Sequence, residues 1–122
     1  YCKYGNKVSI VLEVEFLQKV ENPIIGIRIT DFKDNVVYGT NTRTHNIKAN
    51  VYDKGEKIKV SFSFEVNLMG GSYYVTPAVG YKDSKTYCDW VNNMFTLNVL
   101  AHQKAEGIAD LNSEITIENT NG

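Results

Sequence analysis

Very little in this chain is equipped for covalent chemistry. It has two cysteines and two histidines in 122 residues. Cys2 and Cys88 are too few for the disulfide framework of a small secreted domain. Both are read as reduced thiols of a cytoplasmic protein, with a single bridge between them as the lesser alternative. His45 and His102 stand at no metal-site spacing from each other or from a cysteine, and each reads as a lone surface histidine. No serine sits in a nucleophile-elbow pattern, and no Gly-Lys-Ser/Thr completes a phosphate loop. Excess charge is missing too. Charged residues are 22% of the chain and the net charge is −1, which leaves no field to gather nucleic acid or anionic lipid. No apolar run approaches a membrane span, and no signal-peptide pattern opens the chain. The start at Tyr1, without methionine, is expected of a piece cut from a longer protein, with a processed start as the alternative. These absences exclude most enzymes, and the expectation is a non-catalytic domain with no metal and no cofactor.

The carboxylates do not reverse that expectation. Glu13 and Glu15 fall on one polar strand face, where solvation accounts for them. Asp31, Asp34 and Asn35 form a cluster able to ligate calcium, but ordinary turn chemistry explains the same residues.

No window carries a helical period. What is present is alternation. In "KVSIVLEVEF", Val8, Ile10, Leu12, Val14 and Phe16 point one way, with Ser9, Glu13 and Glu15 opposite. "NPIIGIRIT" sets Ile25, Ile27 and Ile29 inward, with Gly26, Arg28 and Thr30 outward. "EKIKVSFSFEV" sets Ile58, Val60, Phe62, Phe64 and Val66 against Lys57, Lys59, Ser61, Ser63 and Glu65. "SYYVTPAVGYK" places Tyr73, Val75, Val79 and Tyr81 inside, and Tyr74, Thr76 and Lys82 outside. "NMFTLNVL" contributes Phe95, Leu97 and Val99, and "SEITIEN" predicts a last short strand beyond a polar loop. Asn22-Pro23, Gly55 and Gly70-Gly71 punctuate the runs. Strands at this spacing predict an all-β, antiparallel two-sheet sandwich, jelly-roll or immunoglobulin-like. "DFKDN" reads as a hairpin turn with Asn35 in the left-handed conformation. Gly39 marks a bulge or a close backbone approach, and "GTNTR" closes the hairpin.

Aromatic residues exceed what a core alone requires, with eight tyrosines and one tryptophan. Tyr74 points outward between Ser72 and Thr76, and Trp90 sits beside Asp89, Asn92 and Asn93. A ring flanked by amides and carboxylates suits a sugar: the ring face takes the apolar C–H side while the polar groups bond hydroxyls. Trp90 equally suits a plug at one end of the sandwich. Arg28 and Arg43 are the only arginines. Arg28 projects from a polar face, where it can grip a carboxylate, phosphate or vicinal diol, or pair with Glu13 or Glu15.

Several segments together resemble a known family. "ENPIIGIRITDFKDNVVYGTNT" is similar to a hairpin of the C-terminal domain of Wzt-type ATPase subunits of bacterial O-antigen ABC exporters. "GEKIKVSFSFEVNLMGGSYYVTPAVGY" resembles the next hairpin, "DWVNNMFTLNVL" the strand after it, and "EGIADLNSEITI" the terminal strand. The resemblance covers nearly the whole chain in order, and departs at Asn35, where the family turn more often has glycine. It implies that residues 1–122 are one carbohydrate-binding β-sandwich domain, excised from a longer ATPase chain. It further implies recognition of the finished, often capped, non-reducing end of an O-antigen polysaccharide, without chemistry. The implied partners are that polysaccharide, a second copy in a homodimer that exchanges terminal strands, and the exporter's membrane subunit, reached through the parent chain at the cytoplasmic face of the inner membrane.

The resemblance supplies no short ligand motif, so the site rests on strand faces. It is expected on the polar outer face of one sheet, built from Arg28, Ser61, Ser63, Tyr74 and Thr76, with Trp90 and Asn93 at the rim. Asn41 and Arg43 are secondary candidates. The alternative function is an immunoglobulin-like protein-interaction module, which a contiguous apolar patch favours. A small glycosidase has little support, because no carboxylate pair stands out.

Overall fold

The computed structural model describes residues 1–47, 50–81, 87–102 and 105–119, without the side chains of Tyr87, Cys88 and Trp90. Among these residues no helix forms and the strands are β1 (Lys7–Glu15), β2 (Val20–Glu21), β3 (Ile24–Thr30), β4 (Val36–Asn41), β5 (Val51–Tyr52), β6 (Lys57–Glu65), β7 (Gly71–Gly80), β8 (Tyr87–Trp90) and β9 (Phe95–Val99).

The cleanest alternation builds the first sheet. β1 and β6 pair antiparallel along their whole length, from Lys7 opposite Glu65 to Glu15 opposite Lys57. Ile10 and Leu12 are buried, while Lys7, Ser9, Glu13 and Glu15 are exposed. The ladder continues past Phe16, whose N–H donates to the Glu56 carbonyl and whose carbonyl accepts from Gly55 N–H, into the short β2–β5 pair. Gly55 makes that reversal at φ +90, where a side chain is strained.

The second sheet runs β4-β3-β7-β8, with β9 also on β7. One stretch of the ten-residue β7 pairs with β9 from Gly71 to Val75, and a later stretch pairs with β8 from Ala78 to Gly80. The inner faces of the two sheets meet in one core: Ile10 and Leu12 against Ile25, Ile27 and Ile29 of β3, Tyr73 and Val75 of β7, and Leu97 and Val99 of β9. Their outer faces therefore point in opposite directions.

Tyr73 is 5% exposed and its hydroxyl donates to the Met69 carbonyl at 2.7 Å. Replacing it with alanine removes a packed ring and strands that carbonyl. The expected cost is about 3–5 kcal/mol, measured as a loss of unfolding free energy in denaturant.

Four expectations change. The segment "SEITIEN" is not a paired strand: residues 113–119 are all exposed, with Ile115 at 88% and Ile117 at 93%. The alternation is real, but no described strand edge of the same chain receives it. Thr30 is buried rather than outward, because the β3–β4 register slips between Ile29 and Thr30. Asp34, not Asn35, takes the left-handed conformation at φ +64. Asn35 is instead tied by its backbone and side-chain N–H groups to the Asp31 carboxylate at 2.9 and 3.1 Å. His102 is not a lone surface histidine. The chain after β9 folds back so that Ala109 bridges Leu68. That return sets His102 Nε2 2.8 Å from the buried Asp110 carboxylate and stacks its ring on Tyr4. Cys2 carries a free, buried thiol. The side chain of Cys88 lies outside the described residues.

Candidate functional site

The site begins with what the outward positions of the second sheet lack. Across the ladder, Arg28 of β3 lies between Gly39 of β4 and Thr76 of β7, and Gly26 lies between Asn41 and Ala78. One step further, Ile24 opposes Gly80. Gly26, Gly39, Ala78 and Gly80 carry at most a methyl group, so the sheet surface drops between its larger neighbours. The result is a groove of about 390 Å³ whose polar walls include Arg28, Thr40, Asn41, Thr76, Tyr81 and Asn92. That volume falls in the range of small-ligand sites.

Two floor glycines play different parts. A Cβ on Gly26 would lie 2.7 Å from the Thr40 carbonyl oxygen and 2.8 Å from Asn41 Cβ, so only glycine allows β3 and β4 to close there. A Cβ on Gly39 would have Ile27 O at 3.7 Å as its nearest neighbour, an ordinary contact. The close approach expected at Gly39 is therefore at Gly26, and the bulge expected there is at Ile29/Thr30.

The stretch "GTNTR" finishes β4 and turns away. Thr42 N–H donates to the Ile25 carbonyl, and the Ile25 N–H donates to Thr42 Oγ1. Asn41 Oδ1 accepts the Thr44 N–H at 2.9 Å, which fixes the carboxamide at the groove edge. On the far wall, Asn93 adopts φ +51 and its N–H donates to Thr76 Oγ1 at 3.0 Å.

The structure brings Arg28 and Thr76 together as ladder neighbours lining the groove. Tyr74 follows the same outward alternation but sits two residues along β7, about 7 Å from Thr76, and does not line the groove. Ser61 and Ser63 do not join them. They belong to β6, on the outer face of the opposite sheet, where Ser63 Oγ meets Ser9 Oγ at 2.7 Å. Glu13 also belongs to that sheet, 4.0 Å from Lys59, so it is not the ion-pair partner of Arg28. The backbone of Trp90 opposes Ala78, and its side chain lies outside the described residues. Asn92 rather than Asn93 lines the groove; Asn93 acts through its bond to Thr76. The glycine and alanine floor and Tyr81 were not among the expected site residues. Their signal was outward Gly26, Ala78 and Gly80 in runs otherwise rich in large side chains.

A second groove, of about 460 Å³, follows β1 and is lined by Val11, Val14, Leu17, Val91 and Met94 with Glu13, Glu15 and Asp89. Among the described residues no three histidine, cysteine, aspartate or glutamate side chains come together as a metal site would require. The Asp31 carboxylate is engaged by its own turn. The backbone N–H of Asn35, then its side chain, hold that carboxyl below the usual aspartate range.

An antiparallel two-sheet sandwich with an open groove on the outside of its larger sheet belongs to the class of all-β sandwich domains. The chain is a member of the Wzt C-terminal domain family, whose model matches residues 2–111. A crystal structure of the C-terminal domain of wzt superposes with a TM-score of 0.86 at 21% identity, over 96% of this chain and 73% of that one. At that identity the likeness establishes the fold alone. No curated protein matches the chain. The family is one of non-catalytic domains associated with carbohydrate binding in O-antigen ABC export.

Proposed function

We propose that this domain recognises the non-reducing end of an O-antigen polysaccharide in the groove over β4, β3 and β7, coupling a finished glycan to export. The observation that carries the reading is the row of small residues between polar walls. A pyranose can lay its C–H face on Gly26, Ala78 and Gly80 while Arg28, Asn41, Thr76 and Asn92 bond its hydroxyls. Tyr81 supplies an aromatic edge to the same space. Tyr74 and Trp90 remain proposed contacts for sugars beyond the terminal one.

The domain is further proposed to act as one unit, residues 1–122, of a longer ATPase chain that brings it to the membrane subunit at the cytoplasmic face of the inner membrane. It works there as a homodimer. The supporting features are the exposed Ile115 and Ile117 and the half-buried state of Ile58, Val60, Phe62 and Phe64, core-facing residues of a strand whose far edge is unpaired among the described residues.

Calorimetric titration with the host's O-polysaccharide tests the glycan reading. Native chains should bind, chains with the terminal residues removed should bind at least tenfold more weakly, and chelator should change neither result. Equal binding of both chains would overturn end recognition, and loss in chelator would overturn a metal-free site. The exposed Val11, Leu17, Val91 and Met94 along the second groove favour a protein-interaction module as the second reading. Absence of any glycan binding would leave that one standing.

A further inference from the structure

We propose that the free edge of β1 docks an extended, lysine- or arginine-bearing segment from the cytoplasmic side of the exporter's membrane subunit. This deepens the protein-interaction reading of the second groove, and its choice of source rests on membership of the exporter family. Among the described residues β1 pairs with β6 alone. At one end of that ladder Phe16 N–H donates to the Glu56 carbonyl, and at the other Val66 N–H donates to the Asn6 carbonyl. Bonding residues alternate along an antiparallel pair, so Val8, Ile10, Leu12 and Val14 direct their backbone groups to β6. The N–H and C=O groups of Ser9, Val11, Glu13 and Glu15 point the other way, toward no described strand. Such an edge is commonly blunted by a bulge, a proline or a lysine. From Ser9 to Glu15 the ladder has no register shift, and the strand has neither proline nor lysine.

The second groove follows this edge, and its lining takes in every residue from Val11 to Gln18. A strand added there would turn alternate side chains inward, onto the wall of Val79, Val91 and Met94. Val91 and Met94 are 45% and 53% exposed, so that wall has area left to cover. The other side chains would lie outward, beside Glu13 and Glu15. Among the described residues that line the groove, Glu13, Glu15 and Asp89 are charged and none is basic. The lysines that face the two glutamates, Lys59 and Lys57, stand on β6, on the far side of β1. A segment that alternates apolar with basic residues meets both demands.

Charge also excludes this chain's own tail from the β1 edge. In "SEITIEN", turning Ile115 and Ile117 inward puts Glu114, Thr116 and Glu118 outward. Beside β1 those acids would lie against Glu13 and Glu15, whereas beside β6 they would lie against Lys57 and Lys59. The two edges of the small sheet are therefore sorted by sign: β6 suits an acidic strand and β1 a basic one. Cytoplasmic segments of membrane proteins carry a surplus of lysine and arginine, which makes the membrane subunit the source.

The test titrates overlapping synthetic peptides, covering the cytoplasmic segments of the membrane subunit, against the 122-residue protein by fluorescence anisotropy. Peptides that alternate apolar and basic residues should bind, and scrambled peptides of the same composition should bind about tenfold more weakly or worse. N-methylation along one backbone edge of a binding peptide should abolish binding, because strand addition needs those N–H groups. Hydrogen exchange should slow at the N–H groups of Val11, Glu13 and Glu15, and not along β6. The exposed pair Glu13→Gln, Glu15→Gln should melt as the wild type, bind about tenfold more weakly and lose most of its salt dependence. A "SEITIEN" peptide should leave the β1 amides unprotected. Absence of binding by every peptide, or undiminished binding after N-methylation, would overturn the docking edge. Protection of β1 by "SEITIEN" would overturn the membrane subunit as occupant and give the edge to a second copy. Polysaccharide titration of the same protein reads glycan recognition separately, so either proposal can fail alone.

Discussion

Gly39→Phe is expected to abolish polysaccharide binding without harming the fold. Gly39 lies in β4 outside the left-handed region, and a Cβ added there meets only Ile27 O, at 3.7 Å. Glycine inside a strand is less favourable than alanine by roughly 0.5–1 kcal/mol, and phenylalanine suits a strand well. The melting temperature should hold or rise slightly. The ring, however, must stand in the groove beside Arg28, in the space proposed for the terminal sugar. Binding should fall about a hundredfold or more, equivalent to about 3 kcal/mol. Gly39→Ala is the mild partner variant, expected to bind nearly as wild type. Full affinity in a folded Gly39→Phe protein would place the glycan on another surface.

The double variant Ile115→Asp, Ile117→Asp should convert the proposed homodimer into monomers, as read by light scattering across a dilution series. A terminal segment with two almost fully exposed isoleucines is costly to keep in water, and the inward side chains of β6 are only half covered. In the proposed symmetric exchange both deficits would be met at once, each protomer lending its terminal segment to the other. Four isoleucines would then be buried per dimer. At roughly 1.5–3 kcal/mol each, their loss amounts to about 6–12 kcal/mol, or about four orders of magnitude or more in the dissociation constant. A dimer that survives both aspartates would show that residues 113–119 lie outside the interface.

What could be read from residues alone was set by geometry within one strand. β1, β3 and β6 were legible because their two faces differ in polarity, and a period of two identifies them without knowing any neighbour. Strand order was not legible, since alternation assigns a face but not a sheet. That is why Ser61 and Ser63 were grouped with Arg28, although β6 pairs with β1 on the opposite layer. The groove floor was hidden for a related reason. Gly26, Gly39 and Ala78 form a depression only when three strands lie side by side in one register. Arg28 and Thr76 could be placed on the face that carries the groove because a single strand's alternation already turns each of them outward. His102 was misjudged because its partner Asp110 arrives through a chain reversal that no local pattern announces.

The contrast between Gly26 and Gly39 bears on how such a domain can diverge. At Gly26 a single methyl group collides with the backbone of the adjoining strand, so that position is closed to drift whatever the ligand. At Gly39, on the partner strand, a Cβ makes only an ordinary contact with Ile27 O, and a longer side chain would reshape the space proposed for the sugar. On the proposed glycan reading, changes in antigen structure would be followed by substitutions along β4, while β3 keeps the hairpin closed. The rigid floor and the tunable wall belong to the same two-strand ladder, so new recognition can arise within this fold without a stage at which the fold itself is put at risk.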